Sequence, residues 1–172
     1  PGLAWMLATV GHFGADKFSD YWKALVKGGA KIASGWTEAY NTDFSAGEGK
    51  GAYPIVVSYA SSPSYTVSKD GASTTTAALL DTAFRQVEYA GVLKGAANPA
   101  GGQAFINWML SKNVQADIPK KMYMYPVDSS VQLPEALAKF GPLAEKPVEV
   151  APAKIAAERE QWLKLWASAV GK

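Results

Sequence analysis

The residues best able to do chemistry in this chain are aromatic, and they stand where the chain turns. Trp36, Tyr59, Tyr65 and Tyr125 each lie beside a Gly, Ser or Pro, and Tyr123 lies two residues before Tyr125, all at the ends of predicted extended segments or in the turns beside them. An indole or phenol there offers a flat, polarizable face with a polar group at its edge. A cationic heterocycle held against such a face gains about 0.5–2 kcal/mol per ring. The ordinary reading, that any one of these rings is simple core or rim, carries about equal weight for each taken alone. It weakens for the group.

Catalytic groups are sparse. There is one histidine, His12, inside an apolar run, and there is no cysteine. No serine or carboxylate is spaced around His12 as in a triad, so a packed or surface histidine is expected. The run from Ser58 to Tyr65 contains no Gly-x-Ser-x-Gly elbow. No dinucleotide fingerprint or phosphate-binding loop is present. A transition-metal cluster, a thiolate nucleophile and a disulfide scaffold are not expected. Glu158 and Glu160 read as the solvated side of a helix. We therefore expect no enzyme, no metal and no cofactor.

Composition is that of a globular protein, neither disordered nor fibrous. The chain has 172 residues, 48% hydrophobic and 19% charged, with a net charge of +2. That is a globular balance with no basic run, so no nucleic-acid partner is expected. No apolar stretch reaches the ~18 residues of a membrane span.

The elements that must position the rings follow from local pattern. Gly2 to Phe13 predicts a buried helix. Asp16 to Val26 predicts an amphipathic one with Phe18, Tyr21, Trp22 and Leu25 on one face. Lys31 to Ala33 and Tyr53 to Tyr59 predict strands, and Phe84 to Leu93 and Met122 to Val127 predict extended chain. Ala46 to Gly51 predicts a loop, and Ser61 to Val67 a turn or short helix. Helices follow at Ala100 to Leu110, with Phe105, Trp108 and Met109 on the core face, at Lys112 to Asp117, stopped by Pro119, and at Glu135 to Phe140. Pro152 to Val170 closes the chain as a long helix with Ile155, Trp162, Leu165, Trp166 and Val170 in its stripe. Interleaved strands and helices predict an α/β class.

Three strings carry a resemblance. Ser34-Gly35-Trp36-Thr37-Glu38-Ala39-Tyr40, Ile55-Val56-Val57-Ser58-Tyr59-Ala60-Ser61-Ser62-Pro63-Ser64-Tyr65 and Met124-Tyr125-Pro126-Val127 resemble the periplasmic thiamine-binding proteins of ABC importers. The ending from Pro152 through Trp162 and Trp166 resembles their last helix. The resemblance implies a type 2 periplasmic-binding fold, here as an incomplete clamshell from the C-terminal half. An N-terminal lobe with an acidic ligand contact is then expected ahead of Pro1. It divides the chain into residues 1–84, most of the second lobe; 85–145, a hinge return and part of the first lobe; and 146–172, a helix packing back on the second lobe.

The implied function is an extracytoplasmic solute-binding component, periplasmic or anchored outside a membrane. It binds thiamine or its phosphate esters between aromatic walls and delivers it to a membrane permease. Trp36, Tyr59 and Tyr65 match the family's pocket aromatics, and Tyr123 stands where the family has tryptophan. The loop around Gly47 to Gly51 is longer than the family pattern. This chain alone is expected either to pair with another copy or to bind the ligand weakly. The alternatives are a ferric-iron, polyamine or phosphonate ligand on the same fold, an enzyme on a similar fold, or an interaction module.

Overall fold

A computed structural model describes all 172 residues. The chain forms two compact units: Pro1–Ala60 with Leu79–Gln86 and Ala144–Lys172, and Ser61–Ala78 with Val87–Leu143.

The first unit is built on three helices. Helix α1 (Gly2–Phe13) is apolar and buries Met6, Leu7, Ala8, Thr9 and Val10. Such a helix has no polar stripe to leave in water, so it belongs inside the core. It stops at Gly14, whose N–H returns to the Val10 carbonyl at 2.9 Å. Helix α2 (Phe18–Lys27) is amphipathic and buries Phe18 and Trp22. Helix α6 (Pro152–Val170) begins with proline in its first turn, where no amide bond is lost, and ends at Gly171 with φ 75°. It packs against α2 and inserts Trp162 into a cluster of Met6, Leu7, Val10, Phe18 and Trp22.

Trp22 and Thr9 pair their polar groups inside this core, while the Trp166 indole N–H at its edge is buried without a partner. Trp22 Nε1 donates to Thr9 Oγ1 at 3.0 Å, and that hydroxyl donates to the Met6 carbonyl at 2.7 Å. Trp22 meets Trp166 edge to face at 5.7 Å, the arrangement that ring quadrupoles favour.

The second unit has a smaller core. Helices α3 (Pro99–Met109) and α4 (Lys112–Lys121) pack together, and α5 (Glu135–Phe140) packs on a short 3-10 turn, Ser62–Tyr65. Leu137, Val131, Pro119 and Ser61 are buried. Buried Gln115 is satisfied at both ends of its amide: Nε2 donates to the Met109 carbonyl at 2.9 Å, and Oε1 accepts from Val127 N–H at 2.8 Å.

The expected α/β class, and with it the type 2 periplasmic-binding lobe and incomplete clamshell, is corrected here. The structure is 48% helical and 3% strand, with no sheet. Its only β contacts are isolated bridges, Phe44 with Tyr53, Val67 with Thr74 and Phe84 with Val148. The β-branched run after Tyr53 is extended, and Ile55, Val57 and Tyr59 alternate outward from half-buried Val56 and Ser58. Local propensity delivers that alternation, but a strand exists only where a neighbour completes the ladder. None of the expected strands finds a continuous partner.

Two further expectations change. Pro119 does not stop α4, which runs on to Lys121. A proline costs one helix bond, and here its ring is buried while Met122 N–H still reaches Ile118 O at 2.8 Å. In α3, Phe105 and Trp108 are exposed, at 56% and 57%. Met109 is half-buried as expected, together with Gly102 and Ile106, and these three face residues 90–96 across an open groove of about 500 Å³ that Phe105 also borders.

Candidate functional site

Trp36 sits in a segment organised by charge. Ser34 donates twice to Glu38 Oε2, from its backbone N–H at 2.9 Å and its hydroxyl at 2.6 Å. That closes a first turn through Trp36. The chain then widens into a π-helical turn, Glu38–Asp43, a form that is rare and recurs at functional sites. Its i to i−5 bond is Phe44 N–H to Ala39 O, at 3.0 Å.

Residues four apart share a helical face, so Trp36, Tyr40 and Phe44 line up. Trp36 and Tyr40 stack at 4.9 Å with 14° between planes, and Tyr40 meets Phe44 at 5.5 Å. Tyr59 approaches Trp36 at 6.2 Å, tilted by 47°. Trp36 Nε1 donates to Ser58 Oγ at 2.9 Å. Trp36 is half-buried and Tyr59 is exposed.

Two devices frame the π-turn. Lys31 Nζ bridges its ends, at 2.7 Å from Glu38 Oε1 and 2.7 Å from Asp43 Oδ2. The loop after Phe44 folds back on its carbonyls: Gly49 N–H reaches Asn41 O at 2.6 Å, and Gly51 N–H reaches Phe44 O at 3.1 Å. A Cβ on Gly47 or Gly51 would collide with the carbonyls of Tyr40 or Asp43, so the approach requires glycine.

The Lys31 ammonium and the two Ser34 bonds stabilise the Glu38 carboxylate and bring its pKa down to about 2. Hydrogen bonds to Asp43 and Glu38 raise that of Lys31. Glu38 is therefore depressed, and its contribution is present above the ordinary carboxylate value of 4.5 and lost as pH falls through about 2. A carboxyl-carbon NMR titration is expected to place its midpoint near 2, and Lys31→Met is expected to return it toward 4.5. A midpoint near 4.5 in the unaltered chain contradicts the ion pair.

The second unit carries the other two candidates together. Tyr65 and Tyr123 meet edge to face at 4.5 Å, and both are about half exposed. Tyr65 Oη donates to Pro119 O at 3.2 Å. Burial pushes the Tyr65 phenol pKa up. Tyr123 has φ 59°, which is uncommon for a bulky residue, and Ser61 Oγ holds its carbonyl at 2.9 Å.

Tyr125, grouped with these rings in the sequence, is a framework residue. Its hydroxyl donates to Gly141 O at 2.6 Å, and burial pushes its pKa up to about 12. The candidates thus come in two pairs, Trp36 with Tyr59 and Tyr65 with Tyr123, one pair on each unit. Sequence reasoning missed Tyr40, Lys31 and Ser58 as parts of the first. The spacing of four from Trp36 to Tyr40 to Phe44 was the available signal for Tyr40. Nothing local marks the other two.

No protein-family model and no solved structure matches the chain. Curated proteins do. A thiamine-binding periplasmic protein of Escherichia coli (strain K12) is 32% identical over 173 residues, covering 100% of this chain and 50% of that protein. Proteins of the same name from Salmonella typhimurium and Brucella melitensis biotype 1 are 31% and 30% identical over 176 and 175 residues, with the same coverage. The chain spans about half the length of these relatives, as the expectation of a half-length match required. No helix is long and apolar enough to cross a membrane. Along its entire length the chain is a homologue of the thiamine-binding periplasmic proteins.

Proposed function

We propose that this chain is part of an extracytoplasmic solute-binding component of an ABC importer. It takes thiamine or a thiamine phosphate ester and hands it to a membrane permease, from the periplasm or from an anchor outside the membrane. The observation that carries the reading is the similarity, over all of this chain, to relatives whose name states thiamine binding.

The chemistry of the first aromatic cluster supports it. Thiamine joins a cationic thiazolium to an aminopyrimidine. An indole face beside a tilted phenol suits such rings, at about 0.5–2 kcal/mol for each stacked aromatic. Glu38, Asp43 and Lys31 leave one net negative charge near Trp36, a favourable sign for a cation. Tyr65 and Tyr123 are proposed as stacking faces of the second unit. The task is capture and release, with no bond made or broken, so no general base or nucleophile is required.

The test is a calorimetric or tryptophan-fluorescence titration with thiamine, thiamine monophosphate, a polyamine and ferric ion. Thiamine compounds are expected to bind and the others not. Trp36→Ala is expected to weaken thiamine binding roughly tenfold or more, the loss of one stacked face at ~1.4 kcal/mol per decade. Unchanged affinity in that variant takes Trp36 out of the site. Saturable binding of ferric ion or polyamine alone replaces the ligand assignment.

A further inference from the structure

The indole of Trp36 has two faces, and Tyr40 already covers one. At 4.9 Å and 14° the phenol ring lies flat against it, so a second ring cannot stack there. The indole edge is also fixed, because Nε1 is spent on Ser58 Oγ. Tyr40 owes its place to the π-turn. That turn is tied at its two ends by one lysine and along its carbonyls by a glycine loop.

We propose that Tyr40 is a positioning residue: backed by the Lys31-bridged π-turn, it locks the Trp36 ring so that a cationic heterocycle meets one preformed indole face. The inference rests on the reading of Trp36 as a thiamine contact and adds to it how the contact is prepared. Tyr40 touches no ligand in this scheme. Its effect is entropic: a half-buried tryptophan left unbacked samples several rotamers, and binding must then order it. The stacking is made by the ring of Tyr40, so phenylalanine does the same work. Lys31 acts one step further away, through the two carboxylates that bound the turn.

The test is a thiamine titration of the unaltered chain, Trp36→Ala, Tyr40→Phe, Tyr40→Leu and Lys31→Met. Thermal melting and the near-ultraviolet circular dichroism of each are recorded beside it. Tyr40→Phe is expected to bind within about twofold of the unaltered chain. Tyr40→Leu is expected to bind roughly fivefold more weakly, with the Trp36 dichroism flattened and the melting temperature little changed. Lys31→Met removes no aromatic group and is expected to weaken binding roughly threefold. It carries the test if Tyr40→Leu does not fold.

Unaltered affinity in Tyr40→Leu, or in Lys31→Met where that variant decides, overturns the inference. With Trp36→Ala impaired, the reading of the site still stands. Equal losses in Tyr40→Phe and Tyr40→Leu make the hydroxyl a ligand contact and overturn it too. No loss in Trp36→Ala removes the reading of Trp36 and the inference with it.

Discussion

Trp162→Ala is expected to destabilise the first unit by about 3–5 kcal/mol. The indole is 1% exposed and lies among Met6, Leu7, Val10, Phe18 and Trp22. Those residues come from α1 and α2, so Trp162 is the fully buried contact of α6 with both, flanked by Ile155, Leu163 and Trp166. Its removal forfeits the transfer free energy of the largest side chain and leaves a void that three helices can close only partly. Against a typical domain stability of about 5–15 kcal/mol the loss is severe.

Leu165→Ala, on the same helix but 40% exposed, is the matched control and is expected to cost far less. Urea unfolding of both variants, followed by far-ultraviolet circular dichroism, checks the pair. Two units can unfold in separate transitions, and the shift then belongs to the one that loses α6. A cost below about 1 kcal/mol for Trp162→Ala contradicts the described core.

Much of the helical frame was legible. Helices α1, α5 and α6 occupy the predicted spans, because apolar period and flanking Pro or Gly mark them locally. Helix α2 puts Phe18 and Trp22 inward as its pattern requires. In α6 the stripe is slightly rotated, with Leu163 rather than Leu165 packed on the core.

Features that depend on distant neighbours were not legible. Pairing is not written into a β-branched run, so Tyr53 to Tyr59 reads as a strand but pairs only at Tyr53, in its isolated bridge to Phe44. Phe105 and Trp108 satisfy a helical period, yet residues 90–96 only border an open groove along α3 and leave Phe105 at its rim 56% exposed and Trp108 outside it.

The site divides along the same line. Aromatics at turns were recognisable one by one as Trp36, Tyr59, Tyr65 and Tyr123, and the structure joins them as two pairs. What orients Trp36 was hidden. Lys31 is seven residues from Glu38 and twelve from Asp43 in the chain, and only the π-turn brings both carboxylates to it. A regular α-helical period does not produce that turn.

Gly51→Ala is expected to cost the first unit stability near the upper end of ~1–3 kcal/mol and to loosen Trp36 with it. The added methyl would collide with the Asp43 carbonyl, and a backbone group cannot swing aside as a flexible side-chain tip can. The loop must withdraw instead. It then gives up Gly51 N–H to Phe44 O and Gly49 N–H to Asn41 O, together with Tyr53 N–H to Asp43 O at 3.0 Å.

Those carbonyls belong to the π-turn or its end, so the turn loses the bonds that hold it open beside Lys31. Tyr40 moves with it, and the Trp36 dichroism is expected to weaken. Gly35→Ala, close by on the other side of Trp36, meets no atom within 4 Å and is expected to be nearly neutral. Thermal melting and near-ultraviolet dichroism of the two alanine variants make the comparison. Equal stability in both means that the glycine loop does not press on the turn. A destabilised Gly51→Ala with the Trp36 signal intact separates the fold's need for that glycine from the order of the indole.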